Sequence, residues 1–302
     1  MNRGKILLGL ALAALPGTTL AQSAGDGFKA KGYISLAYLD FSNGSSDFAI
    51  LGDGDFGVSF GAFGADFSVI TYETDGDGET KVFGGLSYTF GNEASVVVGS
   101  PRSAFDRYGK FNIGDTSRYY GTTWSGSDKS LFSDVGMNAS VSHRPYGVRF
   151  DSRTDDSLRY SVSLLYEDQN EEYALGGSVE FVNGPTTYSG GLEYITDGSG
   201  SGVTQTKLMI EQELNVFTFG GAASYLDDGS DQVSYLEGSV VWEPVDMVDV
   251  TGFAAWTDTL GNNQMLYGVG GKYFFDRGAN VGASATHTED NTLYEFSVGL
   301  DF

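Results

Sequence analysis

The chain alternates. From Tyr294 to Phe302 one parity holds Tyr294, Phe296, Val298, Leu300 and Phe302, and the other holds Glu295, Ser297, Gly299 and Asp301. Successive side chains of a β-strand point to opposite faces, so this segment predicts a strand with one apolar face and one polar or small face. The same pattern runs from Leu158 to Tyr166 and from Val82 to Phe90, and recurs over 28–38, 175–181, 188–194, 217–225 and 267–275, with no charge on the apolar parity. Only the stretches around Phe67 and Phe253 resist a clear parity.

Gly, Ser, Asp and Asn clusters separate these runs at 42–53, 75–79, 169–171, 196–202, 227–231, 261–263 and 289–291. Such clusters mark turns. Tighter connections fall between them, at 61–64, 91–92, 153–157, 183–187, 215, 244–248 and 277–279. The count predicts sixteen strands, beginning near residues 28, 54, 65, 79, 93, 139, 158, 173, 187, 203, 216, 232, 249, 264, 280 and 292. The acidic clusters then share one end of the sheet and the tight turns the other. Only the connection after the fifth strand is long, roughly Pro101 to Asp134.

A sandwich rarely needs sixteen meandering strands, and a propeller would show a blade motif at a period of about 40–50 residues, which is absent. An all-β, 16-stranded antiparallel transmembrane barrel explains more. A charge facing lipid costs about 2–4 kcal/mol at mid-membrane, which accounts for the clean apolar parity. Polar inward positions in so wide a barrel predict a water-filled channel.

Composition narrows the function. There are 17 Lys and Arg against 40 Asp and Glu, a net charge of −23, so the chain lacks the basic face a nucleic-acid partner requires. Cysteine is absent and only His143 and His287 are available for metal or acid–base work. Ser142 and His143 are strand neighbours and would point to opposite faces, so no nucleophile–base pair is legible and no enzyme is expected. At the N-terminus, Arg3 and Lys5 precede an apolar run from Ile6 to Leu15, a Pro16-Gly17 break and Thr19-Leu20-Ala21. This predicts a signal peptide over 1–21, with the barrel occupying 22–302; the run is too short to span a bilayer.

Taken together, the strand count, the long third loop opening on Gly99-Ser100-Pro101-Arg102-Ser103-Ala104-Phe105-Asp106, and the terminal Phe302 after an alternating strand resemble the general diffusion porins of Gram-negative bacteria, especially the small-looped alphaproteobacterial type. The resemblance covers everything after residue 21. It implies a homotrimer in outer-membrane lipid, a third loop folded inward to narrow each pore, and passive diffusion of small hydrophilic solutes. It also implies that Phe302 is the signal read by the outer-membrane assembly machinery.

Charge placement points to a constriction on separate grounds. Nine of the fifteen basic residues after residue 21 lie between 101 and 160, in a window with only seven acids. The candidate constriction residues are Arg102, Asp106, Arg107, Lys110, Asp115 and Arg118 in the loop, with Arg149 and Arg159 on the inward parity of strands six and seven. Opposed charges across a narrow aqueous gap orient and filter solutes. The acidic rims predict weak cation selectivity. No cofactor is expected, although Asp53, Asp55, Asp75, Asp77 and Glu79 sit among glycines and give a weak calcium candidate, centred on Asp75, Asp77 and Glu79, since hard cations take several such oxygens. A substrate-specific channel would show an aromatic track along the lumen, whereas the clearest aromatics here fall on the outward parity. An outer-membrane enzyme and a soluble secreted β protein are the remaining alternatives.

Overall fold

Sixteen strands close into one antiparallel barrel, each paired with its sequence neighbours and the first paired with the last. The computed structural model describes residues 27–75, 78–91, 94–123, 129–133, 145–153, 157–168, 171–196, 202–230, 232–259, 262–275 and 278–302. The expected signal peptide over 1–21, Asp77, and the Ser142-His143-Arg144 segment lie outside these. The strands are β1 Gly27–Phe41, β2 Ser46–Phe60, β3 Phe63–Glu73, β4 Gly78–Phe90, β5 Ala94–Ser100, β6 Tyr146–Arg153, β7 Leu158–Glu167 and β8 Glu172–Asn183. They continue with β9 Thr186–Thr196, β10 Gly202–Leu214, β11 Phe217–Asp227, β12 Gln232–Val245, β13 Val248–Thr259, β14 Asn262–Phe274, β15 Ala279–His287 and β16 Thr292–Asp301. Closure leaves no sheet edge, which is what a backbone surrounded by hydrocarbon requires.

The apolar parity faces outward. Leu86, Phe60, Phe63, Leu208 and Val298 are all more than 60% exposed on the outer wall. Aromatic rings collect at both ends of that wall. Phe63 and Tyr88, Phe181 and Tyr188, and Phe217 and Trp242 pair at the tight-turn end; Tyr38 and Phe48, Tyr166 and Tyr173, and Tyr267 and His287 pair at the other. Such girdles mark the two interfaces of a membrane barrel.

One strand starts earlier than the sequence suggested. The Gly-Asp-rich stretch 42–53 reads as a loop, yet the turn is confined to 42–45 and β2 begins at Ser46. Phe48 and Ile50 face out, while Asp53 and Asp55 face in and pair across the lumen. Turn-like composition here reflects a polar inner wall. The described part of β6 begins at Tyr146, directly after Pro145, which has no N–H for the ladder.

The inner wall is not uniformly polar. Three buried apolar clusters lie on it: Ala37, Leu39, Ala49, Leu51, Ile70, Tyr72, Phe83 and Leu293; Ala222, Tyr235, Phe253, Ala255 and Leu266; and Leu165, Ala174 and Ile195. Each is completed by side chains from residues 111–120 or 131–132, which lie between β5 and β6 in sequence and inside the barrel.

Candidate functional site

The segment following β5 lines the barrel as an inner ring. It opens with a 3₁₀ turn, Ala104–Asp106, capped by Ser103, whose hydroxyl oxygen accepts from the Phe105 N–H. Here it touches β7 to β9: Ser103 Oγ donates to Glu193, the Ala104 N–H donates to Ser163 Oγ at 2.9 Å, and Ser178 Oγ donates to the Ala104 carbonyl. Phe105 is fully buried, with the Lys207 ammonium 4.5 Å from its ring centre.

Farther round, Phe111 stacks on Tyr235 of β12, with ring centres 5.2 Å apart and planes at 7°. The Asn112 N–H donates to Glu237 at 3.0 Å, and its side-chain amide donates to Ser239 at 2.9 Å. Two short helices follow, α1 Ile113–Thr116 and α2 Arg118–Thr123. Gly114 and Gly121 meet where they cross, and a Cβ on Gly121 would overlap the Gly114 backbone. Ser117 Oγ donates to Glu295 of β16 at 2.7 Å, and Tyr119 packs edge-on against Phe41 and Tyr72. The chain then returns to its start. Phe132 joins Leu165, Ala174 and Ile195, the Ser130 N–H donates to Asp106, and Gln205 donates to both Glu193 and the Lys129 carbonyl.

Each apolar cluster thus has a buried wall glutamate beside it, Glu193, Glu237 or Glu295, accepting from the ring. Buried carboxylates persist when their oxygens are hydrogen-bonded. Inward polarity reads in the sequence as a wet lumen. At these three positions it is a socket for the loop.

The candidate charges fall into two groups. Arg102 is 3% exposed and is gripped by Asp53 through both terminal nitrogens, at 2.6 and 3.2 Å, and by Asp106 through Nε at 3.0 Å. Burial works against its charge, but Asp53, Asp106 and Asp55 outweigh burial and hold the guanidinium well above its ordinary pKa. Asp106 and Arg149 are equally buried, and Arg149 is held by Asp151 at 2.9 Å and by the Arg102 carbonyl. These residues are footings of the ring, not free charges in the gap. Arg107, Lys110, Asp115, Arg118 and Arg159 line a cavity of about 760 Å³ reaching toward the tight turns. There Arg107 lies 3.6 Å from Asp55 and 3.5 Å from Asp151, Lys110 3.3 Å from Asp53, Arg118 2.8 Å from Asp301, and Arg159 3.2 Å from Glu180.

Within these pairs the loop mainly supplies bases and the wall supplies acids. Sequence reasoning missed Asp53, Asp55, Asp66, Asp151, Glu180 and Asp301 as partners; their inward parity was the available signal, obscured for Asp53 by the assignment of 42–53 to a turn. No group of three or more His, Asp or Glu among the described residues is placed to hold a metal. Of the calcium candidates, Glu79 lies 3.8 Å from the Lys81 ammonium and the Asp75 N–H donates to Asp47.

Phe302 closes the barrel seam. Its N–H donates to the Gly32 carbonyl at 2.9 Å, its own terminal oxygen accepts from the Gly32 N–H at 2.7 Å, and its ring stacks on Phe56 at 5.5 Å.

A multiply substituted variant of Rhodopseudomonas blastica porin superposes with a TM-score of 0.64 at 15% identity, covering 91% of this chain and 100% of that one. The fold is that of a sixteen-stranded porin. A second variant of the same porin and a triple mutant each give a TM-score of 0.63 at 15% identity with the same coverage. No protein-family profile and no curated protein matches the sequence. The porin fold therefore persists here on a largely different set of side chains.

Proposed function

We propose that this chain is an outer-membrane porin of a Gram-negative cell, through which small hydrophilic solutes and ions diffuse passively. The observation that carries the reading is the inner ring: a loop anchored on three sides of a closed, outwardly apolar barrel, beside a cavity lined by eight bases and seven acids. A barrel of this strand number is too wide for wall side chains to fill, and the loop sets its aperture. The acids at the long-loop end give weak cation selectivity. We further propose a homotrimer, and recognition of the Phe302 strand by the outer-membrane assembly machinery.

The test is planar-bilayer recording with detergent-folded protein. Stepwise, ohmic conductance in KCl, with a small reversal potential of cation-selective sign under a salt gradient, is expected. Folded protein that inserts but gives no steps would overturn the channel reading. Steps with an anion-selective reversal potential would overturn only the selectivity.

A further inference from the structure

Almost every acid lining the cavity is already matched. Asp53 holds Arg102 and Lys110, Asp55 lies by Arg102 and Arg107, Asp151 by Arg149 and Arg107, Glu180 by Arg159, and Asp301 by Arg118. The bases are not all matched. Lys29 and Lys31 of β1 line the same cavity, are exposed, and have no ion pair among the described residues. Lys110 is half-exposed, and the acid it pairs with among the described residues, Asp53, is also held by Arg102. In a chain of net charge −23, eight of the seventeen bases line this one cavity against seven acids, and the exposed Lys29 and Lys31 carry the positive charge that no ion pair among the described residues offsets.

The three lysines lie along one strip. Lys29 and Lys31 sit two residues apart on one face of β1, with Cα atoms about 7 Å apart. Their cross-strand partners are Gly57, which offers no side chain, and Asp55, which is engaged by Arg102 and Arg107. The next inward residue, Tyr33, is paired with Asp53, the carboxylate that Lys110 touches. We infer that this strip is a binding site for phosphate-class oxyanions, meaning inorganic phosphate and small phosphomonoesters.

A multi-oxygen anion with more than one charge can engage ammonium groups spread over several ångströms, each bringing three donors; chloride engages one at a time. Lysine suits a transport site. It is a strongly hydrated point charge on a flexible stem, without the bidentate fork that would hold an oxyanion tightly. Conduction requires binding strong enough to recruit the solute and weak enough to release it. The site deepens the channel reading and rests on it: the acidic rim favours cations at one mouth, while the lysine strip recruits phosphorylated solutes beside the tight turns.

The experiment uses single channels in dilute KCl, with inorganic phosphate added to one side at a time. Saturable reduction of the KCl current is expected, stronger from the tight-turn side. In K29Q/K31Q the half-blocking concentration should rise about ten-fold, with KCl conductance retained; K110Q should give a smaller rise. Glycerol phosphate should block and glycerol should not. A ³¹P linewidth titration of the detergent-folded protein reads the site without a channel: broadening in the wild type, lost in K29Q/K31Q, is expected. Broadening without conductance would sink the channel reading and leave the site standing. Conductance with no phosphate effect, or an effect unchanged in K29Q/K31Q, would overturn the site and leave the channel. Retention of the heat-modifiable band shows that each variant is folded.

Discussion

Asp53 illustrates how much one buried carboxylate can organise. It is 6% exposed, holds Arg102 in a forked contact, and shares Lys110. Asp53→Asn keeps the shape and removes the charge, leaving Arg102 buried with Asp106 at 3.0 Å and Asp55 at 3.8 Å. Breaking a buried pair from one side costs about 3–5 kcal/mol. The expected result is folded protein that loses its heat-modifiable band in SDS at a clearly lower temperature than the wild type. Arg159→Gln is the contrast. Its pair with Glu180 is partly exposed, with 39% of the Arg159 side chain accessible, and such pairs contribute about 0–1 kcal/mol. Its melting should barely move. Equal shifts in the two variants would mean that Asp53 does not anchor the ring. Asp53 was hidden in the sequence because Gly52-Asp53-Gly54-Asp55 has the composition of a turn. Only the cross-strand register reveals it as inner wall.

For a loop inside a barrel, the anchoring elements lie far away in sequence. Asn112 and Glu237 are 125 residues apart, and Ser117 and Glu295 are 178 apart. No local pattern links them, so the position of the loop was legible and its sockets were not. A trace remained in the two stretches without a clear parity. Around Phe67 the inner positions Ile70 and Tyr72 are apolar, and Phe253 is itself inward and buried, so both faces carry hydrophobes where the loop docks. Glu237 tests the socket. It accepts from the Asn112 N–H and the Tyr235 hydroxyl, and Glu237→Leu removes this acceptor from both. A lost acceptor at a buried donor costs about 1–3 kcal/mol, which loosens one anchor of several without unfolding the barrel. Larger open-channel current noise with brief closures is expected, together with faster proteolysis near residues 107–116. Quiet channels with unchanged proteolysis would show that the apolar cluster holds this arc alone.

At the scale of the molecule the terminal strand completes the hydrogen-bonded circle. β16 pairs with β1 over Tyr33 to Phe41, and Phe302 extends that seam through two backbone bonds to Gly32 and a ring contact with Phe56. Deleting Phe302 removes those bonds while leaving the β1–β16 ladder. The barrel that forms should conduct normally, and less of it should form. The measurement is the ratio of heat-modifiable to total protein in the membrane fraction, set beside single-channel conductance. An unchanged ratio would remove Phe302 from assembly. The strand count and the closing of the circle were legible because every strand meets lipid on one side, and lipid enforces the parity over the whole length of the chain.

Ion selectivity belongs to the whole charge distribution. Acids such as Asp227, Asp228, Glu289 and Asp290 crowd the connections at the long-loop end, whereas the cavity acids are mostly neutralised by fixed arginines, and Lys29 and Lys31 there are in no ion pair among the described residues. Rim charges act through water and are screened, with a Debye length of about 10 Å at 0.1 M falling to about 3 Å at 1 M. The wild-type channel should therefore prefer cations weakly, and more in dilute KCl. Removing unpaired positive charge strengthens that preference, so K29Q/K31Q should give a larger cation-selective reversal potential at low salt. Arg149→Gln should not act in the same way, because that guanidinium is buried against Asp151 and the Arg102 carbonyl; its effect should appear in stability. Asp115→Asn, which removes an acid lining the cavity without a hydrogen-bonded base, should lower cation preference, whereas Asp106→Asn should chiefly weaken the Arg102 and Ser130 contacts. Reversal potentials under a KCl gradient at low and high salt separate these cases. If K29Q/K31Q and Asp115→Asn both leave the low-salt value where it was, ions do not pass along this cavity, and the aperture of the ring lies elsewhere.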